Sequence, residues 1–231
     1  MFIVGQSPHA KGENPRLAAF IFDAHTRQFE TVDIDTISKE YLSVIAKLGL
    51  VSEEKIFLLG IYGSCSPEKE SKCYHSVYSL VDKTFEAVKP FHPYDGASVL
   101  FIDAPYLLIS GGDMKRYPFK VVKKNYLYNI QSGKMTRIAD LNIARSGHSL
   151  IRLKSGKILI AGGTIELNRP PAHELELYDP KNNTVTLLGK TKVKNSSPVL
   201  AILKNGDILI FEGSSFTGDR HAIEKYTPAT S

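Results

Sequence analysis

Tryptophan is absent from the chain, cysteine occurs twice, and no apolar run reaches the length of about eighteen residues that a transmembrane helix requires. Two cysteines are too few for a disulfide scaffold or a zinc-finger framework. Charge of one sign is also scarce: 29 Lys and Arg against 24 Asp and Glu leave a formal net charge of +5. That excess is too small to point to a nucleic-acid partner. The opening MFIVGQSPHA has neither the basic segment nor the apolar stretch of a secretory leader, so none is expected, and the compartment is left open. The patterns G-x-S-x-G, H-E-x-x-H and the phosphate loop are missing as well. With 42% hydrophobic and 23% charged residues, the 231-residue chain reads as a soluble globular protein without membrane insertion.

What the chain does contain is repetition. Short apolar runs ending in glycine recur as FIVG, IFLLG, LLISGG, ILIAGG and ILIFEG, and Gly60, Gly111 and Gly162 stand 51 residues apart. A second mark shares this period. Phe22, Tyr78, Tyr128, Tyr178 and Tyr226 each close a short strand-like run. In the first four copies an apolar residue follows seven positions later, at Phe29, Phe85, Met135 and Val185. Two independent marks on one period identify a repeat array.

The clearest copy reads as four strands, HSLIRL, KILIAG, HELELYD and TVTLLG. KSGK and KNGD are hairpin turns between strands one and two, and DPKNN is a turn between three and four. SKEYLSVIAKLGL comes nearest to a helical period, but its place in the repeat predicts strand one of its unit. The expectation is an all-β fold, a β-propeller of about five four-stranded units, forming one domain over residues 1–231. The units span approximately 1–35, 40–92, 96–141, 146–191 and 196–231.

Residues 141–191 resemble a kelch repeat, of the superfamily that includes galactose-oxidase-like propellers. The matching marks are Arg145 and His148 before strand one, Gly162 and Gly163 after strand two, and Tyr178 closing strand three; Gly111, Gly112 and Tyr128 repeat part of the pattern. The other copies are degenerate, and the tryptophan that opens strand four in the family is replaced by Phe29, Phe85, Met135 or Val185. The glycines let backbones approach closely. The aromatic of strand three and the apolar residue of strand four are expected to fill space between blades, and Arg145 and His148 to hydrogen-bond around the start of the blade. The resemblance implies a scaffold. Some relatives are carbohydrate oxidases with a copper centre of Tyr, His and modified Cys, but no such set is matched here; a sialidase-type Asp-box is also missing.

Strand counting predicts 3 + 3 × 4 + 3 = 18 strands, where five full blades need twenty. The first unit starts at strand two and the last stops at strand three. An incomplete ring would expose strand edges, so self-association or pairing through the ring ends is expected.

The long connections between strands two and three, 7–16, 63–75, 113–124, 164–173 and 214–221, would lie on one face of such a fold. They carry eleven basic and six acidic residues, and this difference of 11 − 6 = +5 equals the net charge of the whole chain. Lys115, Arg116, Tyr117, Lys123, Arg169, His173, Arg220 and His221 are therefore the candidate binding residues, and a protein or an anionic glycan the expected partner. His173 and His221 occupy equivalent places, five residues before Tyr178 and Tyr226, but no carboxylate recurs with them, so no metal is expected. Cys65 and Cys73 lie within one connection: an oxidising compartment would join them, a reducing one would keep both as thiols. No catalytic residue and no cofactor is assigned. A non-enzymatic interaction module is the expected function. The alternative is a fragment or inactive relative of a carbohydrate-acting propeller enzyme.

Overall fold

A computed structural model of the chain describes residues 2–6, 17–23, 26–32, 44–52, 54–61, 73–89, 91, 93–114, 120–166, 170–192, 194–211 and 223–228. The described residues are all-β. Of the segment 38–50, read against its helical period, the described part, residues 44–50, is strand. In chain order the elements are β1 (Phe2–Gln6), β2 (Leu17–Asp23) and β3 (Gln28–Val32), then β4 (Val44–Ser52), β5 (Lys55–Ile61), β6 (Cys73–Ser79) and β7 (Phe85–Ala87). There follow β8 (Ser98–Asp103), β9 (Tyr106–Ser110), β10 (Asp113–Met114), β11 (Lys120–Val121), β12 (Asn125–Asn129) and β13 (Met135–Ile138). The last are β14 (Ser149–Arg152), β15 (Ile158–Ala161), β16 (Glu174–Asp179), β17 (Thr184–Lys190), β18 (Val199–Ile202), β19 (Ile208–Phe211) and β20 (Ile223–Tyr226).

Among the described residues these pair into antiparallel sheets β1–β3, β4–β7, β8–β9–β12–β13, β14–β17 and β18–β20, with strand order following the chain. A separate two-stranded ribbon, β10–β11, forms between β9 and β12 in a segment that the sequence suggested was loop. Contacts divide the chain into two compact units, one holding the first two sheets and the other the last three.

Hairpin register explains the seven-residue spacing. Phe22 pairs with Phe29, Tyr78 with Phe85, Tyr128 with Met135 and Tyr178 with Val185. On its other side each tyrosine opposes an aliphatic residue of strand two: Ile56, Leu107, Ile158 and Ile208 oppose Tyr78, Tyr128, Tyr178 and Tyr226. The turn between strands three and four is built the same way in successive sheets. Asp82 N donates to Ser79 Oγ, Gln131 N to Asn129 Oδ1 and Lys181 N to Asp179 Oδ1, so the residue after each tyrosine nucleates the turn.

In the second unit the sheets stack face to face. β15, sequence ILIA, is wholly buried. With a period of two, Ile158 and Ile160 pack with Ile102, Leu108 and Leu127 of the third sheet, while Leu159 and Ala161 pack with Ile208, Ile210 and Leu200 of the fifth. A strand buried on both faces reads as a continuous apolar run. Each fully buried aliphatic side chain here contributes about 1.5–3 kcal/mol relative to exposure. The first strands β8, β14 and β18 lie side by side. Ser98 Oγ donates to His148 O, Ser149 Oγ to Pro198 O, and Arg152 to Ile102 O, each link joining adjacent sheets. Among the apolar residues seven positions after the strand-three aromatics, Val185 packs against the cluster of Ile158, Ile160 and Tyr178, whereas two others lie largely at the surface. Phe29 is 63% exposed and Met135 38% exposed, because strand four is the outer strand of its sheet and only partly covered.

Candidate functional site

In the second unit, the segments leading into strand one, the glycines ending strand two and the start of strand three meet at the same end of each sheet. A polar network is buried there. The Arg145 and Glu176 side chains have no solvent exposure, and Nη2 donates to Oε1 at 2.7 Å. Arg145 Nη1 also donates to Gly162 O at 2.8 Å and to Glu174 O at 3.1 Å. The Glu176 carboxylate accepts further bonds from Asn142 N at 2.6 Å, Asn142 Nδ2 at 3.0 Å and Ile143 N at 3.3 Å. Burial pushes the Arg145 guanidinium below its usual range, and the Glu176 charge and hydrogen bond oppose that shift.

Beside this pair, His148 Nε2 and the buried Ser110 Oγ share a hydrogen bond of 3.0 Å, and Ser146 Oγ donates to Asp113 Oδ2. Backbone bonds stitch the sheets together at the glycines. Gly112 N donates to Arg145 O and Gly163 N to Asn195 O, both at 2.9 Å. These are equivalent bonds at consecutive junctions. A Cβ on Gly162 would lie 2.5 Å from Asn195 O and 2.5 Å from Pro198 Cδ, with φ at +70°, so only glycine fits.

These groups are committed to the scaffold. Ser110 is 0% and His148 1% exposed, so the serine–histidine contact has no route to a substrate. Among the described residues, no group of three or more His, Cys, Asp or Glu could hold a metal ion.

Outside the network the sequence candidates separate. Lys123 is exposed after β11. Its neighbour Lys124 donates from Nζ to Tyr94 OH at 3.0 Å, a bond that raises the Lys124 ammonium above its usual range. His173 is partly exposed ahead of β16, with Nε2 3.3 Å from Glu174 Oε1, and Lys190 Nζ reaches the same oxygen at 3.2 Å. Burial would raise the Glu174 carboxyl, but hydrogen bonds and the nearby His173 and Lys190 outweigh it and hold the group low. Lys123 and His173 are not brought into contact with each other. Lys115, Arg116, Tyr117, Arg169, Arg220, His221 and Cys65 lie outside the described residues, and Cys73 opens β6.

Glu176 escaped the sequence reading. Its signal was present: it sits two residues before Tyr178 in a strand of period two, so it shares the buried face, and a carboxylate there requires a cation.

Comparison with protein-family models and with curated proteins finds no match. Among solved structures the chain is similar to YjhT, with a TM-score of 0.58 at 15% sequence identity over 80% of this chain. The chain spans 64% of the length of YjhT, and at that identity the likeness is one of fold.

Proposed function

We propose that this chain is a kelch-type β-propeller scaffold whose function is non-enzymatic binding, through the face bearing the long connections between strands two and three. One observation carries the reading: the polar side chains at the junctions between sheets are spent on the scaffold. Arg145, Glu176, Ser110 and His148 are buried and bonded to one another or to backbone, which leaves exposed groups such as Lys123 and the partly exposed His173 as the ones open to a partner. Face-to-face packing in the second unit, the adjacent first strands and the likeness in fold to YjhT support the propeller reading. The basic excess of the connections selects for an acidic surface on a protein or a glycan.

The test is retention of the purified chain on immobilised heparin and on polyglutamate at about 0.15 M salt. The comparison protein carries Lys115→Glu, Arg116→Glu, Arg169→Glu and Arg220→Glu. Retention of the parent on either polyanion and its loss in the variant is the expected result. Equal behaviour of the two proteins rules out this face.

A further inference from the structure

In a repeat array, a position that departs from its copies is released from the scaffold. In the fourth sheet the buried pair is Arg145 and Glu176, and the Glu174 carbonyl accepts from the same guanidinium. The third sheet carries other residues at the equivalent places. Tyr94 precedes the bridge Asp95–Asp113 as Arg145 precedes the bridge Ser146–Thr164. A Cβ on Gly112 would lie 2.5 Å from Tyr94 Cβ, as one on Gly163 would lie 3.0 Å from Arg145 Cβ. Tyr126 stands between Ile109 and Arg137 as Glu176 stands between Ile160 and Leu187. Lys124, two residues earlier, takes the place of Glu174. The fifth sheet keeps a carboxylate, Glu224, which accepts from Lys192 N as Glu176 does from Asn142 N. Of these three sheets, the third is the one that departs.

The departure exchanges a closed ion pair for an open set of donors. Arg145 and Glu176 have no solvent exposure, whereas Tyr94, Lys124 and Tyr126 are partly exposed and the Arg137 side chain is 57% exposed. Lys124 Nζ donates to Tyr94 OH at 3.0 Å and lies 5.5 Å from the centre of that ring. Tyr126 and Arg137 are near enough to act on the same ammonium, the phenol raising its pKa and the guanidinium lowering it. Asp140 orients Arg137, accepting from Nε at 3.3 Å and from Nη2 at 2.7 Å. Tyr94 accepts from Lys124 and retains its own O–H to donate, and among the described residues the Tyr126 hydroxyl makes no hydrogen bond.

We infer that Tyr94, Lys124, Tyr126 and Arg137 are the anchor for an acidic segment of a partner protein, with an Asp or Glu carboxylate received by the ammonium, the guanidinium and the two phenols. The inference rests on the binding reading above and gives that face its class of partner. The cluster offers almost nothing but donors: an ammonium, a guanidinium and two O–H groups, against the one carboxylate of Asp140, which Arg137 already engages. A carboxylate only accepts, so it satisfies such a set. The hydroxyls of a sugar chain donate as well as accept, and here their protons would find few acceptors. Lys124 over the Tyr94 ring also takes one face of that ring from a stacking sugar. Tyrosine and arginine held on paired strands are the residue types on which protein interfaces concentrate their binding energy.

The test uses the full chain and a fluorescent oligoglutamate peptide, with oligoglutamine, phosphoserine-containing and heparin-oligosaccharide probes beside it. Affinity is read by anisotropy, and location by the Arg137 Nε–H resonance. The glutamate peptide should bind and shift that resonance, and the glutamine peptide should not bind. Lys124→Gln, Arg137→Gln and the double change Tyr94→Phe, Tyr126→Phe should each weaken binding roughly threefold to tenfold. Phenylalanine keeps both rings, so the phenol variant tests the hydroxyls without emptying the packing. Lys181→Gln removes an exposed charge from the turn between strands three and four of the fourth sheet and should leave affinity unchanged. Equal affinity of the Arg137→Gln and Lys181→Gln proteins, or failure of the glutamate peptide to bind, overturns the inference. So does binding only of the phosphoserine peptide, or a heparin oligosaccharide bound more tightly than the glutamate peptide through Arg137. The loop face is tested apart from this anchor. Loss of polyglutamate retention in the four-glutamate variant with retention kept in Arg137→Gln leaves the face standing and removes the anchor; the converse keeps the anchor and removes the connections.

Discussion

Arg145 and Glu176 are a pair in which removing one partner costs more than removing both. Replacing Glu176 by glutamine leaves a guanidinium in a fully buried site without its counter-charge, and the expected loss is about 3–5 kcal/mol. The double variant Arg145→Met, Glu176→Leu should lose clearly less than the sum of the two single changes, as urea midpoints will show. Gly162→Ala belongs to the same scale. Its methyl would press on the Asn195 carbonyl and the Pro198 ring, at a φ that L-residues avoid. A loss of about 3 kcal/mol or more is expected in the same assay. Gly162 and Tyr178 were legible in the sequence because a single residue states its own requirement. Glu176 was not, because its meaning depends on Arg145, 31 residues away.

At the scale of elements, the hairpin between strands three and four carries a left-handed residue just before strand four. The position is filled by Arg27, Lys83, Gly133 and Asn183, with φ of 56°, 55°, 71° and 50°. Glycine suits it, whereas arginine and lysine are strained there. Arg27→Gly should therefore stabilise by about 0.5–1 kcal/mol, measured as a shift of the unfolding midpoint. Gly133→Ala should destabilise by a similar amount or more. The repeated spacing exposed these hairpins in the sequence, because register and turn chemistry are local. The β10–β11 ribbon left no such trace. Two residues per strand, Asp113–Met114 and Lys120–Val121, are too few to show alternation.

For the molecule as a whole, the repeated tyrosines set its alkaline limit. Burial raises the phenols of Tyr78, Tyr128, Tyr178 and Tyr226 above their ordinary value, Asp179 adding to the effect at Tyr178. A phenol raised in the folded state keeps its proton while the unfolded chain loses one. Stability is thus fully present below the ordinary phenol pKa of about 10 and falls as pH climbs through the raised values. Of 11 tyrosines, these four are expected to ionise late, together with the loss of the β-sheet signal. Absorbance near 295 nm and circular dichroism along one pH titration will check this; early ionisation of all tyrosines in a still folded chain would contradict it.

The all-β class, the hairpin turns and the seven-residue spacing between the strand-three aromatic and an apolar residue of strand four followed from the sequence alone. A period of two and the chemistry of Gly, Asn, Asp and Pro act over a few residues and recur in every copy. Tertiary structure decided which polar residues are consumed in the interior and which apolar ones remain outside. Arg145 reaches Glu176, His148 reaches Ser110, and Phe29 stays 63% exposed although it repeats an apolar mark. Those outcomes depend on how one sheet packs against the next. Two copies of the same mark diverge, Val185 packed against a buried cluster and Phe29 exposed, because burial is a property of the neighbours rather than of the residue.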